Sequence, residues 1–153
     1  MTSNPAAEFP TLSETARPVN ASCIQYHLSV ATISRISEYE LTEQRSRFYA
    51  AALPAETLEE VKKTLSKRKK KYHKARHHCW ACRVRDENGN IVEQARDDGE
   101  VGRPGMKMLE LLRRDDLEGL LVVSRIFGGI KLGPGGVGRA FRDAAIGALA
   151  GLA

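Results

Sequence analysis

Between Gly119 and Phe141 the chain runs GLLVVSRIF directly into GGIKLGPGGVGRAF. The first nine residues form a nearly continuous apolar run with β-branched residues in its middle, the pattern of a buried strand. Six of the seventeen residues from Arg125 to Phe141 are glycine, and the segment VGRAFRDAAIGALAGLA that follows reads as an Ala-rich helix. A strand, a glycine-rich connection and a helix in direct succession leave few architectures open. Each fold that uses such glycines for phosphate makes further demands on the sequence.

Gly133, Gly135 and Gly138 fit the spacing of a dinucleotide fingerprint. That site also needs a second strand ending in an acidic residue about 20 positions on. The residues up to Ala153 do not supply it, so a Rossmann site is not expected. A phosphate loop is not expected either, because Arg139 and Ala140 stand where Lys and Ser or Thr are required. Two readings remain. Backbone N–H groups at Gly128, Gly129, Gly133, Gly135 and Gly136, with Arg125, Lys131 and Arg139 adding charge, could hold an anion at the helix start. Alternatively the glycines serve only turns and close packing.

Residues 1–22 carry three prolines and many Ser and Thr without apolar period, and read as a tail or extension. IQYHLSVATI and SRFYAAAL are strand candidates. After Pro54, AETLEEVKKTLSKRKKKYHKA has acids at its start, bases at its end, and Leu58, Val61 and Leu65 at helical spacing. HHCWACRVR and NIVEQARDD flank an Asn88-Gly89 pair and read as a hairpin, with MKMLELLRRD as a short helix. The order predicts an α+β domain over residues 23–153, a two-layer mixed sheet with helices on one face. A chain of 153 residues with 42% hydrophobic content suits one such domain. Three cysteines are an odd number and not a disulfide framework, which suggests a reducing, cytoplasmic setting. Neither a secretion signal nor a membrane span is visible, so the Asn20-Ala21-Ser22 acceptor should stay bare.

Three further clusters carry chemical options. His77, His78, Cys79 and Cys82 resemble zinc ligands, but strand alternation places Cys79 and Cys82 on opposite faces, so no metal is expected there. In that alternation Trp80, Cys82 and Val84 face the core, while His77, Cys79 and Ala81 line an open face. Asp97, Asp98 and Glu100 could bind a hard cation or act as an acid and base pair, or simply shape a turn at Asp98-Gly99. From Lys62 to Arg76 there are nine Lys or Arg residues and no acid. A helix end accounts for cations only within its last turn. The rest, including Lys67, Arg68, Lys69, Lys70, Lys71, Lys74 and Arg76, suits either a nucleic-acid backbone or a solvated face.

VVSRIFGGIKLGPGGVGRAF, ARHHCWAC and DDGE together resemble the signature of the IMPACT family, in the family's order, over roughly residues 44–150. The resemblance implies a fold like the second domain of a small-subunit ribosomal protein and a role in translation regulation under stress. It also implies that Asp97, Asp98 and Glu100 face the glycine stretch across a cleft, with Arg125 or Lys131 as charge partners. VGRPG at Val101 to Gly105 departs from the Gly-Thr-Ala-Gly turn of bacterial relatives. Eukaryotic relatives compete for a kinase activator through an N-terminal RWD domain. The roughly 43 residues before the match are too few for one, so that role is not expected to carry over.

The leading expectation is a non-catalytic, cofactor-free module that binds RNA or a ribosome-associated protein through the basic run and the glycine-rich cleft. The alternative is an enzyme acting on a small anionic or nucleotide substrate, with His77, Asp98 and Glu100 as proton-transfer or metal groups and Arg125 as anion clamp. A regulator that binds protein is a third option, marked by an exposed apolar patch.

Overall fold

The structure is a computed structural model that describes residues 31–153. The expected tail, Cys23 and most of IQYHLSVATI lie outside the described residues. Strand β1 (Ala31–Thr32) is followed by β2 (Ser37–Glu43) and β3 (Ser46–Leu53), helix α1 (Leu58–Lys71), and β4 (His77–Arg85) with β5 (Ile91–Arg96). Helix α2 (Pro104–Arg114), β6 (Leu117–Ile126) and helix α3 (Gly133–Ala150) complete the order. The sheet order is β2-β3-β6-β4-β5, antiparallel throughout, and β1 adds a short parallel pairing to the start of β6. The apolar strand β6 therefore sits in the middle with β3 and β4 on either side. That position explains its continuous apolar run.

The α+β class holds, but the helices are divided between the faces. Phe48, Ala50, Cys79, Ala81, Leu121 and Val123 pack under α2 and α3, with Met108, Leu112, Phe141, Ala144 and Ala148 from the helices. Ala51, Leu53, Cys82, Val84, Leu120 and Val122 pack under Val61 and Leu65 of α1 on the other side. The face of Cys79 and Ala81, expected to be open, carries the larger core, and both residues are 0% exposed. The physical reason is that β4 and β6 are apolar at both parities, so each sheet face requires a helical cover.

Local chemistry sets the element ends. Thr57 Oγ1 accepts the Glu60 N–H at 3.2 Å, and the Glu60 carboxylate accepts the Glu56 N–H at 2.8 Å, which fixes the start of α1. In the β4–β5 hairpin the turn rests on Gly89, whose φ is positive at 80°. Its N–H donates to Asp86 O at 3.0 Å, and Asp86 Oδ1 accepts from Asn88 and Asn90 N–H, each at 2.9 Å. Helix α3 starts at Gly133, with Pro134 in its first turn, so Gly135 and Gly136 are helical where a loop was expected up to Val137.

Candidate functional site

His77 and Arg125 are paired across β4 and β6, and Phe48 of β3 is paired with Arg125 on the other side. Alternation places this row on the α2/α3 face, near the C-terminal end of β6, where Phe48 packs edge-on against Phe141 of α3. A buried guanidinium there needs acceptors. Arg125 Nη1 donates to Glu100 Oε2 at 3.1 Å and Nη2 to Ser46 Oγ at 3.4 Å, while Nε has no partner among the described residues. Its guanidinium carbon lies 5.5 Å from the Phe48 ring centroid and 5.4 Å from that of Phe127, so two aromatic rings flank the charge.

The acidic loop is built from three separate attachments. Asp97 Oδ1 accepts the Gly105 N–H at 2.8 Å and satisfies a donor in the first turn of α2, whose own N-cap, Arg103, makes no side-chain capping bond. Asp98 Oδ2 accepts the His78 N–H at 2.9 Å. Only Glu100 turns toward Arg125. Asp97 and Asp98 thus each commit one carboxylate oxygen to a backbone donor. Glu100 N–H donates to Asp97 O at 2.9 Å and Cys79 Sγ donates to the same carbonyl at 3.1 Å. Burial, with Glu100, Asp97 and Asp98 close by, pushes the Cys79 thiol up far beyond its ordinary value. Such a thiol is no nucleophile.

His77 Nδ1 lies 2.8 Å from Asp98 O. A carbonyl only accepts, so Nδ1 carries the proton, and Nε2 is left facing Glu100 Oε2 at 4.0 Å. Lys74, Arg76, His77, Val101, Arg125, Ile126, Phe127, Lys131, Leu132, Gly133, Pro134 and Val137 line a cleft of about 730 Å³. The segment before β4, Val101 after the acidic loop, the end of β6 and part of the glycine stretch thus line one concave surface, and Asp97, Asp98 and Glu100 are not among its lining residues. The Gly102 backbone lies directly against the N-terminal end of α3 at Pro134 and Gly138.

Other expected members lie elsewhere. Arg139 and Gly136 line a separate hollow of about 230 Å³ with Glu43 and Asp143, so the Arg139 charge is not directed into the cleft. Gly128 packs on the Arg45 backbone and donates its N–H to Ser46 Oγ at 3.2 Å, and Gly129 and Gly135 do not line the cleft. Cys79 is wholly buried beneath it. In the basic run, Lys67, Lys69, Lys70, Lys71, Lys74 and Arg76 are exposed. Arg68 is corrected: it is 6% exposed, bonded to Glu38 Oε1 at 2.6 Å and laid over Tyr72, because position 68 continues the Val61–Leu65 face of α1. Lys71 Nζ also reaches Glu38 Oε1, at 3.3 Å.

Phe127, Val101, Leu132 and Val137 were not singled out by sequence. Phe127 shares the parity of Val123 and Arg125, which is the signal that could have placed it on this face. For Ser46, which binds both Arg125 and Gly128, the sequence carries no comparable sign.

Residues 44–149 match the family model described as the Impact N-terminal domain. The IMPACT family member YvyE of Bacillus subtilis (strain 168) is 40% identical over 115 residues, which cover 74% of this chain and 52% of YvyE. Protein IMPACT of Rattus norvegicus is 34% identical over 99 residues, 61% of this chain and 31% of that protein. The chain thus spans about half the length of the first relative and about a third of the second. Among solved structures, a crystal structure of an hypothetical protein has a TM-score of 0.70 at 28% identity, covering 76% of this chain and 58% of that one. The two-domain translational regulator Yih1 has a TM-score of 0.52 at 27% identity, covering 77% of this chain and 47% of Yih1.

Proposed function

This chain belongs to the Impact N-terminal domain family, and from that premise we propose that it is a non-catalytic binding module of a translation regulator, taking RNA on the basic side of α1 and in the cleft. The observation that carries the reading is a set of free cations. Lys67, Lys69, Lys70, Lys74, Arg76 and Lys131 are all exposed, and none has a carboxylate within 4.0 Å among the described residues. Clustered, unneutralised cations repel one another, and a phosphate backbone relieves that repulsion while releasing counterions. The chain from the end of α1 carries this charge through Lys74 and Arg76 straight into the cleft wall.

The enzyme reading finds less support. Asp98 is committed to the His78 N–H and Glu100 to Arg125, which leaves His77 without a carboxylate that is free to orient it. The geometry favours binding.

The test is a salt titration of RNA binding by fluorescence anisotropy. Affinity should fall with salt, and replacing Lys67, Lys69 and Lys70 by Gln should reduce the slope of log K against log salt by about 2 on single-stranded RNA. No binding at about 50 mM salt, or a slope untouched by the three replacements, overturns the RNA reading. A protein partner held in place of RNA would be captured from extract even after nuclease treatment.

A further inference from the structure

Phosphate recognition explains the cations of the cleft but not its apolar lining. Val101 is 51% exposed and Phe127 53%, and both line the cleft with Leu132 and Val137. Apolar surface left in water forgoes about 25 cal/mol per Å², and nothing in phosphate binding calls for a ring at the centre of a basic site. Phe127 is also held in place. Its neighbour Arg125 has a side chain only 8% exposed, anchored by Glu100 and Ser46, and presents its guanidinium 5.4 Å from the Phe127 centroid. Among the described residues, the Nε–H of Arg125 has no partner.

We propose that the cleft receives one unpaired nucleotide of single-stranded RNA, its base against Phe127 and Val101 and its flanking phosphates at Lys74, Arg76 and Lys131. The inference rests on the RNA reading above and adds which RNA is bound. Three observations carry it. The volume of about 730 Å³ falls within the range that holds a small organic ligand, so a single nucleotide fits. The cations lining the cleft come from two segments, Lys74 and Arg76 before β4 and Lys131 after β6, which suits a strand whose successive phosphates are held separately. The half-open aromatic ring offers a stacking platform, and an unstacked base is the part of RNA that uses one. A continuous duplex keeps its bases paired and stacked, so it presents only backbone to the same surface.

The experiment compares three ligands on the full 153-residue chain by fluorescence anisotropy: a mixed-sequence single-stranded RNA, the same sequence fully paired, and the single strand with abasic positions. The single strand should bind at least about tenfold tighter than the other two. Phe127→Ala should weaken it by about 5- to 150-fold, the range that stacking of one base accounts for, while leaving the salt slope and duplex binding unchanged. Phe127→Trp should restore binding, and a thermal melt of each variant checks that the exposed site has not altered folding. Equal affinity for all three ligands with no effect of Phe127→Ala overturns the stacked-nucleotide inference while RNA binding itself survives. Failure of every RNA to bind removes the RNA reading, and this inference falls with it.

Discussion

Arg125 Nη1 donates to Glu100 Oε2 across 3.1 Å, and each side chain keeps less than a tenth of its surface in solvent. The pair links the end of the central strand to the loop that leads into α2. Two charges withdrawn from water are tolerated only together, because the attraction between them repays desolvation that neither can bear alone.

Breaking the pair should therefore cost more than removing it. Glu100→Gln leaves a buried guanidinium facing a neutral amide, and urea unfolding should show a loss of about 3 to 5 kcal/mol. The double variant Glu100→Leu with Arg125→Met should recover much of that loss. Additive losses in the double variant would show that the two side chains act independently.

Gly102 has φ of 85°, and a Cβ there would sit 2.9 Å from the Gly138 nitrogen and against the Pro134 carbonyl. Backbone cannot yield as a flexible side chain does. Gly102→Ala should lower stability by about 1 to 3 kcal/mol from left-handed strain and overpacking together. Because Val101 and Pro134, on either side of this contact, line the cleft, the variant should also weaken RNA binding at a temperature where it remains folded. Unfolding by circular dichroism and binding by anisotropy separate the two effects.

His78 sits on the α1 side of β4, 6% exposed, with Nδ1 2.7 Å from Ser124 Oγ. Burial holds its pKa below the ordinary 6.5, helped by Lys69 and Arg68 and opposed by Asp98. A lowered folded value means that the unfolded chain takes up a proton first as the pH falls. The neutral-ring contribution is present above about pH 6.5 and is lost progressively below it, down through the lowered folded value. Urea midpoints should fall between pH 7 and pH 5, and His78→Gln should flatten that fall. An unchanged pH slope in the variant would place the titration elsewhere.

Much of this arrangement was legible where local chemistry and burial agree. The run GLLVVSRIF became the central strand, SRFYAAAL is β3 residue for residue, and the amphipathic spacing of Leu58, Val61 and Leu65 marks α1. Strand β2 was not separated out, because its turn to β3 is made by Gln44 and Arg45, both at positive φ and neither a usual residue for it. The helical cover on both faces escaped notice because Cys79, Ala81 and Ala50 to Ala52 are small, and small residues advertise burial weakly. In the site, a resemblance in three short motifs implied that the acids face the glycine stretch across a cleft, whereas the cleft is lined by His77, Val101 and Gly133 and by none of Asp97, Asp98 and Glu100. Which carboxylate faced Arg125 was not legible, since Asp97, Asp98 and Glu100 differ only in what the backbone offers each of them. The same limit applies to the basic run, where composition cannot distinguish a buried cation from an exposed one.

Arg68 and Lys70 illustrate that distinction two residues apart. The Arg68 side chain is 7% exposed, bonds Glu38, and lies 4.7 Å from the centroid of Tyr72, which stacks on Tyr49 at 4.6 Å. Its hydrogen bond, ahead of that from Lys71, holds the Glu38 carboxyl below its ordinary value of 4.5. Arg68→Ala should cost about 1 to 3 kcal/mol, mostly through lost packing of the stem and stack, because Glu38 is itself 46% exposed and the pair is partly screened. The Glu38 contribution is present above about pH 4.5 and disappears as the pH falls through the lowered folded value, so this variant should also show a shallower acid limb. Lys70→Gln should leave unfolding within about 0.5 kcal/mol of the parent and reduce the salt slope of RNA binding by about 0.7. Urea unfolding at pH 7 and pH 3.5, with a salt titration on each variant, measures both. If Lys70→Gln destabilised the fold, or Arg68→Ala altered RNA affinity alone, the division between structural and exposed cations along α1 would have to be redrawn.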